Sequence, residues 1–234
     1  MRNGLIVQSK QFKHTNIIGN AITAIDFFNT WGADEIVILD VSPENDRKEF
    51  LNIVEEFAYK CNTPLTVGGF NRTRQDIRDC LNAGADKISI NRIVQERPEI
   101  ITELAESFGS QCVVVSIDYK DNEEPLERVK EAEKMGAGEI YLTSIDRDGM
   151  QCGYNISTIK KVSEVVNIPI IASGGCGKWE HMVNAFNAGA DAVSAANIFH
   201  YSEHSIKEAK AYLLQSGIPI RPPEFCEVQN GFLP

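Results

Sequence analysis

Long apolar runs are missing from this 234-residue sequence. None approaches the roughly 20 residues that are needed to cross a bilayer. The first residues, MRNGLIVQSKQFKH, also lack the apolar core of a secretory signal peptide. Neither membrane insertion nor secretion is therefore expected, and we predict a cytoplasmic protein.

Basic residues are in the minority, with 23 Lys and Arg against 33 Asp and Glu. A chain with this balance is not expected to bind nucleic acid or anionic membranes through its general charge. An anionic ligand would have to be held locally, by backbone amides or by a few placed side chains.

Metal-binding and redox motifs are also missing. The six cysteines form no CxxC pair and no zinc-like spacing, and the four histidines show no metal-ligand spacing with carboxylates or cysteines. We expect reduced cysteines that mostly pack in the core, and the sequence implies no metal and no organic cofactor.

Short runs rich in Val and Ile alternate with amphipathic, helix-like segments along the whole chain. The runs are continuous in hydrophobicity, as is typical of parallel strands that are buried on both faces. Repeated strand–helix units predict a parallel α/β fold. The runs are EIVILD (35–40), PLTVGG (64–69), KISIN (87–91), CVVVSID (112–118), EIYLTSID (139–146), IPIIASGG (168–175) and DAVSAAN (191–197).

The sequence is internally duplicated. GADEIVILD resembles GAGEIYLTSID, TPLTVGG resembles IPIIASGG, and NAGADKIS resembles NAGADAVS, at offsets of 104 to 106 residues. Two halves of about four strand–helix units predict a (β/α)8 TIM barrel, over 1–234 as one domain. The halves would span about 1–110 and 111–215, with a tail at 216–234. A doubly wound open sheet is the alternative, although a duplicated one would leave two edges to protect.

Two glycine pairs end equivalent runs, Gly68–Gly69 in the first half and Gly174–Gly175 in the second. The chemistry of a barrel lies at the carboxyl ends of its strands. Small residues there let backbone amides approach a phosphate ahead of a helix N-terminus. The doubled pair suggests a ligand with a phosphate at each end, and plain tight turns are the alternative explanation.

Three aspartates, Asp40, Asp118 and Asp146, each close an apolar run. A carboxylate at the active face can act as a general acid or base, particularly if partial burial raises its pKa. For Asp40 and Asp146 we favour capping of the following turn or helix. No obvious helix start follows Asp118, so a catalytic role is favoured there.

The most specific stretch is TSIDRDG at 143–149. Together with GAGEIYLTSIDRDGMQCGYN, IPIIASGGCGK, FGSQCVVVSID, GADKISIN and GADEIVILD, it resembles the cyclase subunit of imidazole glycerol phosphate synthase, from about residue 17 to residue 214. That family's fold is a two-fold duplicated (β/α)8 barrel. The sister isomerase of histidine biosynthesis shares this fold, but TSID before RDG favours the cyclase.

The resemblance implies a partner, a reaction and a set of residues. A glutaminase bound at the bottom of the barrel would supply ammonia. At the top, the ammonia would react with a bis-phosphorylated ribonucleotide to give imidazole glycerol phosphate and aminoimidazole carboxamide ribotide. Asp118 corresponds to one of two catalytic carboxylates. The implied substrate and phosphate residues are Ser89, Asn91, Thr143, Ser144, Asp148, Gly149, Ser173, Gly174, Gly175, Ala196 and Asn197, and the implied ammonia-entrance residues are Glu35, Lys87 and Glu139.

The charged entrance residues also have a simpler explanation. Charges at the starts of barrel strands must pair with one another, since their burial without a partner is costly. Glu35, Lys87 and Glu139 could therefore be a salt-bridge layer that only closes the barrel.

The sequence also departs from the family. In this register the family's second catalytic Asp, on the first strand, falls upstream of Met1, and so does an Arg of the entrance. GLIVQS (4–9) is then the only candidate for a first strand. Phe70 replaces a third glycine in the first phosphate loop, and Arg92 replaces a Thr beside Asn91. The loop after Asp118 is shorter than in the family.

Three functions remain open at this stage. The chain could be a working cyclase whose first strand lies outside this sequence. It could be a paralogue that delivers ammonia to an amidotransferase of surface-sugar biosynthesis. It could also be a non-catalytic scaffold for a glutaminase, in which case changing Asp118 to Asn would alter nothing measurable.

Overall fold

The computed structural model describes residues 1–42, 46–200 and 205–222. Within them, an antiparallel hairpin precedes a parallel sheet whose strands alternate with helices. The strands are β1 (Leu5–Lys10), β2 (His14–Asn20), β3 (Ile36–Leu39), β4 (Leu65–Gly68), β5 (Lys87–Ile90), β6 (Val113–Tyr119), β7 (Glu139–Ser144), β8 (Ile170–Ser173) and β9 (Ala192–Val193). The helices are α1 (Ala21–Thr30), α2 (Arg47–Lys60), α3 (Arg74–Asn82), α4 (Arg92–Glu96), α5 (Ile100–Phe108), α6 (Leu126–Lys134), α7 (Ile156–Ser163), α8 (Trp179–Asn187), α9 (Asn197–His200) and α10 (Ser205–Gln215).

The seven apolar runs form β3 to β9, which confirms their prediction as strands. All six pairings are parallel, and the order across the sheet follows the chain. A doubly wound sheet reverses its order at a switch point. The open-sheet alternative is therefore wrong.

A small apolar cluster shows that the sheet curls around an interior. The outer strands β3 and β9 both contribute to this cluster, although they lie at opposite ends of the strand order. Its members are Val37, Leu39, Val114, Tyr141, Ile171 and Ala192. A second and larger core lies between the strands and the surrounding helices. Inner and outer layers of this kind are those of a TIM-type barrel, and the predicted fold class is confirmed.

The described strands leave one gap in the barrel wall, between β3 and β9. A cavity of about 940 Å³ lies there, lined by Ile36–Leu39 on one side and by Ala192 and Val193 on the other. Met1 reaches the upper end of the gap. Its amino group donates to the Leu39 carbonyl at 2.7 Å, and its own carbonyl accepts from the Val41 amide at 2.9 Å. The gap is the place of the first strand, which we predicted to be incomplete.

The segment GLIVQS (4–9) does not fill this gap, so its candidacy as a barrel strand is wrong. Leu5–Lys10 instead pairs antiparallel with β2, from Leu5 opposite Asn20 to Lys10 opposite His14. Gln11 and Phe12 adopt left-handed φ values of 51° and 59° in the connecting turn. The short turn satisfies the backbone of both strands locally.

The helices that matter for the site follow the glycine pairs. Thr73 caps α3 in a capping box with Asp76, and α8 begins at Trp179 in the equivalent place of the second half. No helix in the described ranges is long and apolar enough to cross a membrane. The predicted tail begins after α10, and its residues 223–234 lie outside the described residues.

Candidate functional site

The predicted site residues lie at the two ends of the barrel strands. Those of the entrance group occupy the starts of strands: Lys87 and Glu139 open β5 and β7, and Glu35 directly precedes β3. The substrate group lies at the carboxyl ends of β5 to β9 or in the following loops, and comprises Ser89, Asn91, Asp118, Thr143, Ser144, Asp148, Gly149, Ser173, Gly174, Gly175, Ala196 and Asn197. The two groups therefore mark opposite faces of the molecule.

Asp118 is the carboxylate at the centre of the C-terminal face. The Asn91 amide nitrogen donates to Asp118 Oδ2 at 2.6 Å, and Arg128 donates to the Asp118 backbone carbonyl at 2.9 Å. Asp118, Asn91, Ser116 and Arg128 line a cavity of about 450 Å³. The Asn91 hydrogen bond thus holds the carboxylate in one orientation.

The pKa of Asp118 is raised above the usual value of an aspartate. Burial is the main cause, and the negative charge of Asp148 adds to it, while the Asn91 hydrogen bond and the Arg128 charge act in the opposite direction. A carboxyl group with a raised pKa holds a proton at higher pH than usual. Asp118 is therefore suited to general acid–base chemistry.

The glycine pairs make the same close contact in both halves. A Cβ on Gly69 would lie 2.5 Å from the Asp40 carbonyl oxygen, and one on Gly174 would lie 2.6 Å from the Ser144 carbonyl oxygen. Both residues also hold positive φ values, 112° and 90°. Packing against the neighbouring strand end therefore requires glycine here whether or not an anion binds.

The shared contact makes Gly69 the structural equivalent of Gly174, and Phe70 the equivalent of Gly175. The sequence comparison paired Gly68 with Gly174 and Gly69 with Gly175. The structure instead pairs Gly69 with Gly174, so that alignment was wrong by one residue. Phe70 holds a φ of 51°, in the left-handed region, while Gly175 holds 101°. The first loop keeps this backbone bend with a side chain that is strained in it.

Asp148 connects the loop after β7 to the β1–β2 hairpin. The Ser9 hydroxyl donates to Asp148 Oδ2 at 2.5 Å, and the Gln11 amide donates to the Asp148 carbonyl at 2.9 Å. Burial raises the pKa of Asp148 despite hydrogen bonds from Ser9 and Phe12. The tip of the hairpin therefore lies against the C-terminal face.

Ser144, predicted as a hydroxyl donor to phosphate, donates its hydroxyl to Asp121 at 2.7 Å. Ser173 donates to the Tyr141 hydroxyl at 3.1 Å, and Tyr141 shares a 2.8 Å hydrogen bond with Ser194. Tyr141 is almost completely buried inside the barrel. The hydroxyl groups of these residues therefore bind one another or Asp121 just below the C-terminal face of the barrel.

The entrance residues form one compact ionic cluster. Lys87 Nζ donates to Glu35 Oε2 at 2.8 Å and to Glu139 Oε1 at 2.7 Å, and Thr66 donates to Glu35 Oε1. Burial alone would lower the pKa of Lys87, but the hydrogen bonds and charges of Glu139 and Glu35 raise it. Glu139 Oε2 is buried without a hydrogen-bond partner among the described residues.

Asp40 caps the turn that follows it, as favoured from the sequence, but the capping role favoured for Asp146 is wrong, because its carboxylate binds the backbone of an earlier loop. Asp40 Oδ1 accepts from the Ser42 amide at 3.0 Å and from its hydroxyl at 2.5 Å. Asp146 Oδ2 accepts from the Asp121 amide at 2.8 Å. Neither carboxylate is presented to the site in the way that Asp118 is.

Sequence reasoning missed several polar residues around the site, namely Ser9, Asp121, Tyr141, Arg147 and Ser194. Arg147 lies within TSIDRDG, and its position between two acidic residues could have drawn attention to it. Asp121 carries no motif of its own. In the described part of the chain, no cluster of three or more His, Cys, Asp or Glu residues could hold a metal ion.

Comparison with known proteins gives a consistent result. The family described as "Histidine biosynthesis protein" matches residues 1–205. A protein of Bacillus licheniformis named "Imidazole glycerol phosphate synthase subunit HisF" is 43% identical over 241 residues, covering 94% of this chain and 96% of the relative. A protein of the same name from Clostridium botulinum (strain Kyoto) is 42% identical over 238 residues, covering 93% of this chain and 94% of the relative.

Proposed function

This chain belongs to the histidine biosynthesis protein family, and we propose that it is the cyclase subunit of imidazole glycerol phosphate synthase. Its substrates would be ammonia and a bis-phosphorylated ribonucleotide. Its products would be imidazole glycerol phosphate and aminoimidazole carboxamide ribotide.

The observation that carries this proposal is the environment of Asp118. This carboxyl group has a raised pKa, is oriented by the 2.6 Å hydrogen bond from Asn91, and lies at the carboxyl end of a central barrel strand. Ring closure and cleavage both require protons to move to and from the substrate. Asp118 would act as the general acid or base in these steps.

The two ends of the substrate would lie on the two glycine turns. In the second half, backbone amides at Gly174 and Gly175 would contact one phosphate, since no side chains separate them from the ligand. The polar and small residues that would surround this phosphate are Thr143, Ser144, Asp148, Gly149, Ser173, Ala196 and Asn197. In the first half, Ser89 and Asn91 would contribute to the site of the other phosphate.

We further propose that a glutaminase binds the opposite face and supplies the ammonia. The cluster of Lys87, Glu35 and Glu139 lies at the starts of the strands, about one strand length from Asp118. No described residue donates to Glu139 Oε2, which leaves this cluster with an acceptor for a passing ammonium or a neighbouring donor. A closed salt-bridge layer would use all of its acceptors.

The other two functions are not favoured. The relatives of 42–43% identity are named as synthase subunits, and this chain keeps Asp118 in an environment that raises its pKa. A non-catalytic scaffold would not need a carboxyl group with a raised pKa at this position.

Supplying the bis-phosphorylated ribonucleotide and an ammonium salt, without any partner, tests the proposed reaction. The proposal predicts that both products form in equal amounts. Binding of the ribonucleotide without conversion would contradict cyclase activity while leaving the ligand assignment intact. Absence of both binding and conversion would contradict the whole proposal.

A further inference from the structure

Asp121 lies in the short connection between β6 and α6, and its carboxylate binds three donors from the next strand–helix unit. Oδ1 accepts from the Ser144 hydroxyl at 2.7 Å and from the Asn155 amide at 3.0 Å. Oδ2 accepts from Arg147 Nε at 2.8 Å. These donors lie at both ends of the loop between β7 and α7, which contains Asp148 and Gly149.

Arg147 connects Asp121 to the far end of this loop. Its guanidinium donates to the backbone carbonyls of Gly153 and Tyr154, both at 3.3 Å. The Gly153 amide in turn donates to the Gly175 carbonyl at 2.7 Å. A continuous series of hydrogen bonds therefore connects Asp121 to the glycine turn of the second half.

The position of Asp121 is itself fixed from two sides. Its backbone amide donates to Asp146 Oδ2 at 2.8 Å. Asn155, which donates to Asp121, also accepts from the Thr158 amide at 3.2 Å and so caps α7. The loop is thus held at its start, at its end and at its contact with Gly175.

The ionised carboxylate of Asp121 contributes through its three hydrogen bonds and not only through the ion pair with Arg147. Its side chain is 33% exposed and that of Arg147 is 29% exposed, so the pair alone contributes little to stability. Burial acts to raise the pKa of Asp121, but the contacts with Ser144, Arg147 and Asn155 lower it overall. The ionised carboxylate accepts all three hydrogen bonds at once, and charge-assisted bonds are the stronger ones.

We propose that Asp121 is a positioning residue for the phosphate site of the second half. It acts through Arg147, which sets the separation between the loop bearing Asp148 and Gly149 and the Gly174–Gly175 turn. This inference rests on the proposed function, because it assigns an anion to that turn. Asp121 itself does not contact the substrate.

The matched variants are Asp121→Asn and Glu124→Gln. Glu124 lies in the same connection and pairs with Lys161 of α7, and no hydrogen bond or ion pair of the described residues joins it to the loop after β7. With ammonium as the nitrogen source, Asp121→Asn is expected to raise the KM for the ribonucleotide about 10-fold or more, since small displacements of a binding site are costly. Glu124→Gln is expected to match the wild type.

A double-variant comparison tests whether Asp121 acts through Arg147. If it does, Asp121→Asn combined with Arg147→Lys should raise KM no further than the more severe single variant. Full additivity of the two effects would overturn this route, and an unchanged KM in Asp121→Asn would overturn the positioning role. A variant that merely destabilises the fold would lower the melting temperature without changing the KM.

Binding of inorganic phosphate, measured by calorimetry, separates this inference from the proposed function. If the wild type fails to convert the ribonucleotide, the proposed reaction is wrong. Weaker phosphate binding by Asp121→Asn than by Glu124→Gln would still support the positioning role. Equal phosphate binding by both variants would overturn it.

Discussion

The side-chain amide of Asn91, at the end of the preceding barrel strand, donates a hydrogen bond to Asp118 Oδ2 at 2.6 Å. Asn91 directly precedes α4 but does not cap it with its side chain, which instead orients the carboxylate. The hydrogen bond stabilises the ionised form of Asp118 against the effect of burial, and it therefore sets how far the pKa of Asp118 can rise.

Replacing Asn91 by Leu is expected to raise the pKa of Asp118 further, because the donor to the carboxylate is removed. The limb of the pH profile of kcat/KM that reports Asp118 should move to higher pH. Gln95→Ala is the control, since Gln95 donates to Asn91 Oδ1 at 3.4 Å without contacting Asp118. An unchanged profile in Asn91→Leu would show that Asp118 does not govern the rate.

Replacing Asp118 by Asn is expected to increase stability at neutral pH. A carboxyl group with a raised pKa in the folded state contributes stability below its unfolded pKa, and this is lost as the pH rises through the folded pKa. The advantage of Asn should therefore grow as the pH rises above about 4, the pKa of an unfolded aspartate. Thermal melts across this range give the measurement.

Asp121→Asn serves as the opposite control for that series. The pKa of Asp121 is lowered, so its ionised form contributes stability above the unfolded pKa that is lost as the pH falls. This variant should therefore melt below the wild type at pH 7. If both variants changed the melting temperature by the same amount and in the same direction, the two carboxylates would not differ in environment.

Replacing Gly175 by Ala is expected to weaken binding of the ribonucleotide and to destabilise the fold by roughly 2 kcal/mol or more. The new Cβ would overlap the Gly153 carbonyl at a φ of 101°. Gly217→Ala is a matched control, because Gly217 has a φ of 80° and, its chain neighbours apart, no atom of the described residues lies within 4 Å of the added Cβ. If the two variants were equally stable, the loops would not be in close contact.

Replacing Lys87 by Met is expected to leave Glu35 and Glu139 without their shared cation. Breaking a fully buried pair costs about 3–5 kcal/mol, and here the side chains are partly exposed, so about 1–3 kcal/mol is expected. Turnover driven by glutamine and the partner should fall more than turnover driven by ammonium salt. Lys130→Met, which removes an exposed pair with Glu127, should change neither rate.

Much of the fold could be predicted because buried parallel strands have continuous apolar sequences. EIVILD and CVVVSID, for example, became β3 and β6. The fate of GLIVQS could not be predicted in this way, because an apolar run of this length suits a barrel strand or a hairpin equally well. The hairpin turns through left-handed residues at Gln11 and Phe12, and no glycine marks this turn in the sequence.

The position of a candidate residue was predictable where a polar side chain ends an apolar strand, as for Asp118. It was not predictable where two loops meet. The contact of Asp121 with Arg147 joins residues from different strand–helix units, and no periodicity relates their positions. The inward orientation of Tyr141 could not be predicted for another reason. Its strand is apolar on both faces, so the sequence has no polar–apolar alternation that would show which residues face the interior.

The most direct test of the account compares initial rates of the wild type and Asp118→Asn, at saturating ammonium and with the bis-phosphorylated ribonucleotide as substrate. The wild type is expected to show measurable turnover, and the variant a loss of about 10²–10⁴-fold in kcat with binding retained. Equal rates in the two proteins, or no turnover in either, would contradict this expectation.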